Sequence, residues 1–145
     1  MNKIFKTDAT PSQVDAGLLI LRIAVGVLML THGMPKLQML FAGGEIQFPG
    51  VMGLSPGFSL ALAVFAEVFC SILILLGLAT RLAVIAPIVT MLVAVFMIHI
   101  NDPFANQELG LLYLFMYLPL LIMGSGRYSL DFIYKSIQRP VAVEN

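Results

Sequence analysis

Charge is scarce in this chain. Asp, Glu, Lys and Arg make up 11% of its 145 residues, while 59% are hydrophobic; a soluble domain usually carries about 25% charged residues. With a mean hydropathy of +0.96, that depletion excludes an ordinary water-soluble domain and reads as a membrane protein. Neither sign is in excess. Eight basic residues face eight acidic ones, so no basic field exists to attract nucleic acid. Cysteine is nearly absent: Cys70 stands alone in an apolar run. A single thiol excludes an intrachain disulfide, a CxxC redox pair and a cysteine zinc cluster, and leaves the redox compartment unreadable. Histidine is almost as rare, with His32 and His99 as the whole supply.

Long apolar runs are what the chain does have. A spanning helix needs roughly 20 apolar residues, and four stretches qualify, at about 16–34, 58–78, 81–100 and 107–123. The expected fold is all-α: one integral membrane domain over residues 1–145, built as a four-helix bundle. Pro35 stops the first run, and Ser55-Pro56 reads as an N-cap and first-turn proline for the second. Thr80 and Asn106 are the expected N-caps of the third and fourth, and Gly124 and Gly126 end the fourth. Pro87 and Pro119 fall inside runs, where a bundle tolerates them as kinks. Lys3 and Lys6 precede the first run as in a signal peptide, but Asp8, Asp15 and Arg22 interrupt it, so it reads as a retained span.

With four spans, Lys3, Lys6, Arg81, Arg127, Lys135 and Arg139 share one side, and Lys36 stands on the other with Glu45, Asp102 and Glu108. The positive-inside rule then places both termini in the cytoplasm. The outer loop, 35–57, is long, rich in Gly and Pro, and apolar at Phe41, Phe48, Met52 and Leu54. It reads as a cap or lid over the bundle, or as an irregular connector. Residues 127–139 place Leu130, Ile133 and Ile137 on one helical face, as an amphipathic cytoplasmic tail with Tyr128 and Tyr134 at headgroup level. There Arg127 and Asp131, four apart, could pair or simply anchor the tail; the last residues, VAVEN, read as a frayed end.

Polar residues inside the runs are the candidates for function. An isolated ion at mid-bilayer costs about 2.5–3.5 kcal/mol on insertion scales. Arg22, about 18 Å deep in its helix, and Glu67, about 13 Å deep, fall at similar depths. They are therefore expected to form a buried ion pair, with Gly26 and Gly33 easing helix approach and Ala63 and Ser71 flanking Glu67. That pair would be either a functional site or an interhelical clasp. Nearer the outer face, His32, Lys36, His99 and Glu108 fall in one layer and could hold a quinone, a metal or an anion. Each also has a plainer use: Glu108 favoured by the helix dipole, Lys36 snorkelling, the histidines at the interface. Haem between two histidines, or a metal on both with Glu108, lacks support beyond their level, so no metal is assigned and the cofactor is left open.

The motifs, taken in order, carry a resemblance. They are Arg22, His32-Gly33-Met34-Pro35-Lys36-Leu37, Ala66-Glu67-Val68, Gly77 to Ala83 (GLATRLA), His99, and Gly124 to Asp131 (GSGRYSLD). Over roughly 16–132 the chain resembles the DoxX family of small bacterial four-helix membrane proteins. The resemblance implies a multi-pass inner-membrane protein and carries over Arg22, His32, Lys36, Glu67, His99 and Arg127. Some relatives do redox work, one as a quinone-reducing thiosulfate oxidoreductase, another in a complex with superoxide dismutase and a sulfurtransferase. The resulting expectation is a membrane subunit or anchor of a redox-related complex, with a quinone-type site near the outer face. Partners would be the lipid bilayer, redox proteins or further copies of the chain. The alternatives are a small-solute or proton-linked transporter using the Arg–Glu pair, and a structural or assembly protein without catalysis. Whether the chain is an enzyme, and which residues would be catalytic, stays open.

Overall fold

The computed structural model describes residues 9–138. Lys3, Lys6 and Asp8, Arg139 of the charge pattern, and the VAVEN tail lie outside them. Five helices and no strands occur among the described residues: α1 Pro11–Phe41, α2 Pro56–Leu76, α3 Thr80–Ile98, α4 Phe104–Met123 and α5 Leu130–Ile137. The first four are long and apolar enough to cross a bilayer. Their outward residues, among them Ile20, Phe65, Phe115 and Ile122, are exposed. Apolar faces of that extent mark a surface made for lipid, not water.

Helix ends follow local chemistry. Thr10 and Gln13 form a reciprocal capping box ahead of Pro11. Ser55 caps α2 with Pro56 in its first turn. Pro35, expected to stop α1, lies inside it, and the helix continues to Phe41. A membrane helix can carry proline because the bundle and neighbouring side chains restore the lost backbone partners. At the third span the cap is not Thr80. Ala79 adopts a left-handed φ of 47°, and the carboxylate of Asp131 accepts from the Ala79 and Thr80 amides at 2.9 and 3.4 Å. The fourth helix begins at Phe104, so Asn106 lies within its first turn and donates to Asp102 instead of capping.

Packing fixes the order of layers along the bundle. A Cβ on Gly33 would meet Val68 at 2.7 Å and Glu67 at 3.0 Å, and one on Gly26 would meet Leu75 at 2.5 Å and the Ser71 carbonyl at 3.3 Å. Small residues thus bring α1 and α2 into backbone contact, and set residue 33 opposite 67 and residue 26 opposite 71–75. Tyr113, Tyr117 and Leu120 of α4 complete the core with Val25, Met29, Cys70 and Ile74. Two helices contain a five-residue π turn, Phe65–Phe69 in α2 and Ala94–Ile98 in α3. Each closes on an i→i−5 bond, Cys70 to Phe65 and His99 to Ala94. Such turns widen the helix by one residue and recur at functional sites.

Candidate functional site

Both π turns face the same place. Between α1, α2, α3 and the 42–55 loop lies a chamber of about 390 Å³, walled by Leu62, Ala63, Val89, Ala94 and Ile98 and roofed by Phe48, Pro49, Val51, Met52 and Leu54. A second cavity of about 180 Å³, between α1, α3 and α4, is lined by His32, Met29, Val95, Gly110 and Tyr113. Lys36, Glu67, Met91, Ala94 and His99 line both. The loop covers the larger chamber, and the Lys36 ammonium lies 5.9 Å from the centre of the Phe48 ring.

The centre of the site is an ion pair between Lys36 and Glu67 Oε1. Glu67 is 1% exposed, and its Oε2 has no hydrogen-bond partner among the described residues. Lys36 reaches it because α1 runs unbroken past Pro35, leaving residue 36 one turn beyond His32 on the same helix. Here the expectation from sequence is corrected: Arg22 and Glu67 do not pair. Arg22 lies opposite Leu75, eight residues beyond Glu67, or about 12 Å along α2. Its guanidinium instead donates to the carbonyls of Ser125, Tyr128 (2.8 Å) and Leu75 (3.4 Å). The arginine is thus held by the chain after α4, and it fills the space left by Gly77, where a Cβ would lie 2.5 Å from its Nη1.

The remaining candidates divide. His32, Lys36 and His99 line one cavity, as their common layer predicts, together with Glu67. His32 packs edge-on against Tyr113, ring centroids 5.8 Å apart. His99 Nδ1 bonds Asp102 Oδ2 at 2.7 Å, and this bond, with one from Asn106, holds the Asp102 carboxyl below its ordinary range. Glu108 is exposed and lines neither cavity, so the four-residue cluster loses it and gains Glu67. Arg127 does not pair with Asp131. Its backbone N–H and Nε meet Asp15 at 3.0 and 3.4 Å, because Asp131 is engaged at the start of α3. Among the described residues, no three His, Cys, Asp or Glu side chains stand together as a metal-binding group.

Sequence reading passed over Tyr113 and Tyr117. Both are buried, with ring centroids 6.3 Å apart. Their four-residue spacing on one face of an apolar helix was the available signal, since a buried tyrosine hydroxyl usually has a partner.

Comparison with known proteins fits this architecture. The family model described as DoxX matches residues 17–100. A Bacillus subtilis protein, CatD, whose name gives it only provisionally as an oxidoreductase, is 32% identical over 123 residues, covering 83% of this chain and 90% of that protein. The Escherichia coli inner membrane protein YqjF is 32% identical over 123 residues, 81% of this chain and 91% of its own length. An uncharacterized protein of Haemophilus influenzae is 35% identical over 121 residues, or 79% and 87%. No solved structure matches significantly. The matched segment contains α2 and α3 whole and all of α1 that carries Arg22, His32 and Lys36, and with four bilayer-length helices the chain is a multi-pass membrane protein that belongs to the DoxX family.

Proposed function

We propose that the chain is an inner-membrane subunit of a redox system and that the chamber at Lys36–Glu67 takes a quinone-type headgroup. One observation carries the reading. A fully buried carboxylate gives one oxygen to an ammonium and keeps the other without a partner among the described residues, on the wall of an apolar chamber of about 390 Å³. Small-molecule sites are mostly apolar concavities of about 300–1,000 Å³ with a few convergent polar groups. The Lys36 ammonium is a donor for a ring carbonyl. Glu67 Oε2 is an acceptor for a ring hydroxyl. A quinone, when bound, supplies electron and proton carriage; the chain's own residues orient it and hold a proton at Glu67.

Relatives named as an oxidoreductase and as an inner membrane protein support the same reading. The basic residues at the termini end, Arg81, Arg127 and Lys135, favour a cytoplasmic placing of that end, which puts the 42–55 loop on the outer side. Electrons would come from a partner redox protein.

The test is purification of the full chain from bacterial membranes in mild detergent, followed by solvent extraction and mass spectrometry. The expected result is stoichiometric quinone with the wild-type chain and its loss in a Lys36→Met/Glu67→Gln variant. Quinone no higher than in bulk lipid, with no saturable binding of a short-chain quinone analogue, would overturn the reading.

A further inference from the structure

Five buried side-chain atoms have no hydrogen-bond partner among the described residues: Glu67 Oε2, Ser71 Oγ, Tyr117 Oη, Arg22 Nε and Thr80 Oγ1. Their residues are 0–1% exposed. Buried polar groups are nearly always partnered, and those that are not call for an explanation. Inside a membrane the cost of leaving them dry is several kcal/mol each. Scattered, they would be unrelated packing defects. They are not scattered.

The contacts already described place them in sequence along the bundle. Glu67 lies opposite Gly33, at the chamber. Ser71 is one turn further along α2, opposite Gly26, and Tyr117 packs in the core with Cys70 and Ile74 on either side of that position and stacks on Tyr113 of the second cavity. One turn further again, Leu75 O accepts from Arg22. Arg22 in turn donates to Ser125 O. Ser125, Thr80 and Asp131 all line a third cavity, of about 430 Å³, at the termini end. The Ser125 hydroxyl also donates to Asp131 at 3.4 Å, which sets a carboxylate beside this clasp and lowers the barrier that a lone guanidinium would raise against a second cation. These orphaned polar atoms therefore fall at successive levels between a polar cavity at the termini end and the carboxylate in the chamber.

We propose that this column is a proton-entry path, carried by internal water, from the termini end to Glu67. Buried waters typically make about three hydrogen bonds to polar groups that the protein leaves unsatisfied, and these five atoms are such groups. The step is a proton transfer alone: hydrated protons enter past Thr80, Asp131 and Arg22, pass between Ser71 and Tyr117, and come to rest on the Glu67 carboxylate. The groups that share a cavity with Glu67 are Lys36 and His32 from α1, Tyr113 from α4, and His99 at the end of α3. The inference rests on the reading of Glu67 as the working carboxyl and adds the route by which it is supplied.

X-ray hydroxyl-radical footprinting of the full chain in lipid nanodiscs tests the water directly, because radicals form at bound water as well as in bulk. Tyr117 is 0% exposed, and it is expected to be labelled nonetheless. Infrared spectroscopy of the Glu67 carboxyl band tests the path. After a jump to acid pH, Ser71→Ala and Tyr117→Phe are expected to slow the rise of its protonated band by about tenfold, the change expected when a barrier loses one hydrogen bond. An unlabelled Tyr117 overturns the proposal, and so does a Glu67 band indifferent to both variants. Neither measurement uses a quinone. A labelled column in a chain that binds no quinone sinks the previous reading and leaves this one standing.

Discussion

Replacing Lys36 with methionine removes the partner of Glu67 while keeping a side chain of similar length. The carboxylate is 1% exposed and its second oxygen has no partner among the described residues, so the ammonium is the one group there that bonds it. Breaking a buried pair by deleting one member typically costs about 3–5 kcal/mol. Glu67→Gln is expected to cost less, about 1 kcal/mol, because Lys36 is partly exposed and can snorkel outward. The assay is reversible unfolding in mixed micelles of dodecylmaltoside and SDS. A Lys36→Met chain as stable as wild type would refute the reasoning.

Three further outcomes follow from the geometry. Gly77 has a φ of +68°, and a Cβ there would lie 2.5 Å from Arg22 Nη1 and Ser129 Cβ; Gly77→Ala should lose at least about 2 kcal/mol, the left-handed backbone alone accounting for about 1–2, and unchanged micelle stability would contradict the Arg22 clasp. Arg22 and Glu67 are about 12 Å apart along α2, so Arg22→Met and Glu67→Gln should add with a coupling under about 0.5 kcal/mol, whereas Lys36 and Glu67 should couple by about 1–3. The Asp102 carboxyl is held down by His99 and Asn106, so their contact is complete above the ordinary carboxylate range and is lost only as pH falls through the lowered value; an NMR titration should find the Asp102 midpoint below 3.8, and a midpoint at or above that figure would be the contrary result.

The spans could be read from hydropathy because lipid demands about 20 apolar residues whatever their neighbours are. The ion pair could not be. Placing the end of α1 at Met34 applies proline's behaviour in water to a helix that the bundle supports, and the seven-residue error moves depths by about 10 Å. That shift alone exchanges Lys36 for Arg22 as the partner of Glu67. The layer of His32, Lys36 and His99 was legible because level positions on adjacent helices survive such errors, while Glu108 failed because depth says nothing about the face a residue occupies. The role of Asp131, 52 residues from the Ala79 amide it accepts, has no local signal at all. It becomes visible only when the chain after α4 is seen folded back under Arg22.

The central claim is that a ring headgroup occupies the chamber at Lys36 and Glu67. Photo-cross-linking with an azido-quinone in native membranes, followed by peptide mapping, tests it most directly. Label is expected on the roofing segment Phe48–Leu54 and on Val89–His99, suppressed by excess unlabelled quinone and by Lys36→Met. Label spread over the lipid-facing residues of all four spans, or unaffected by competitor, would contradict it.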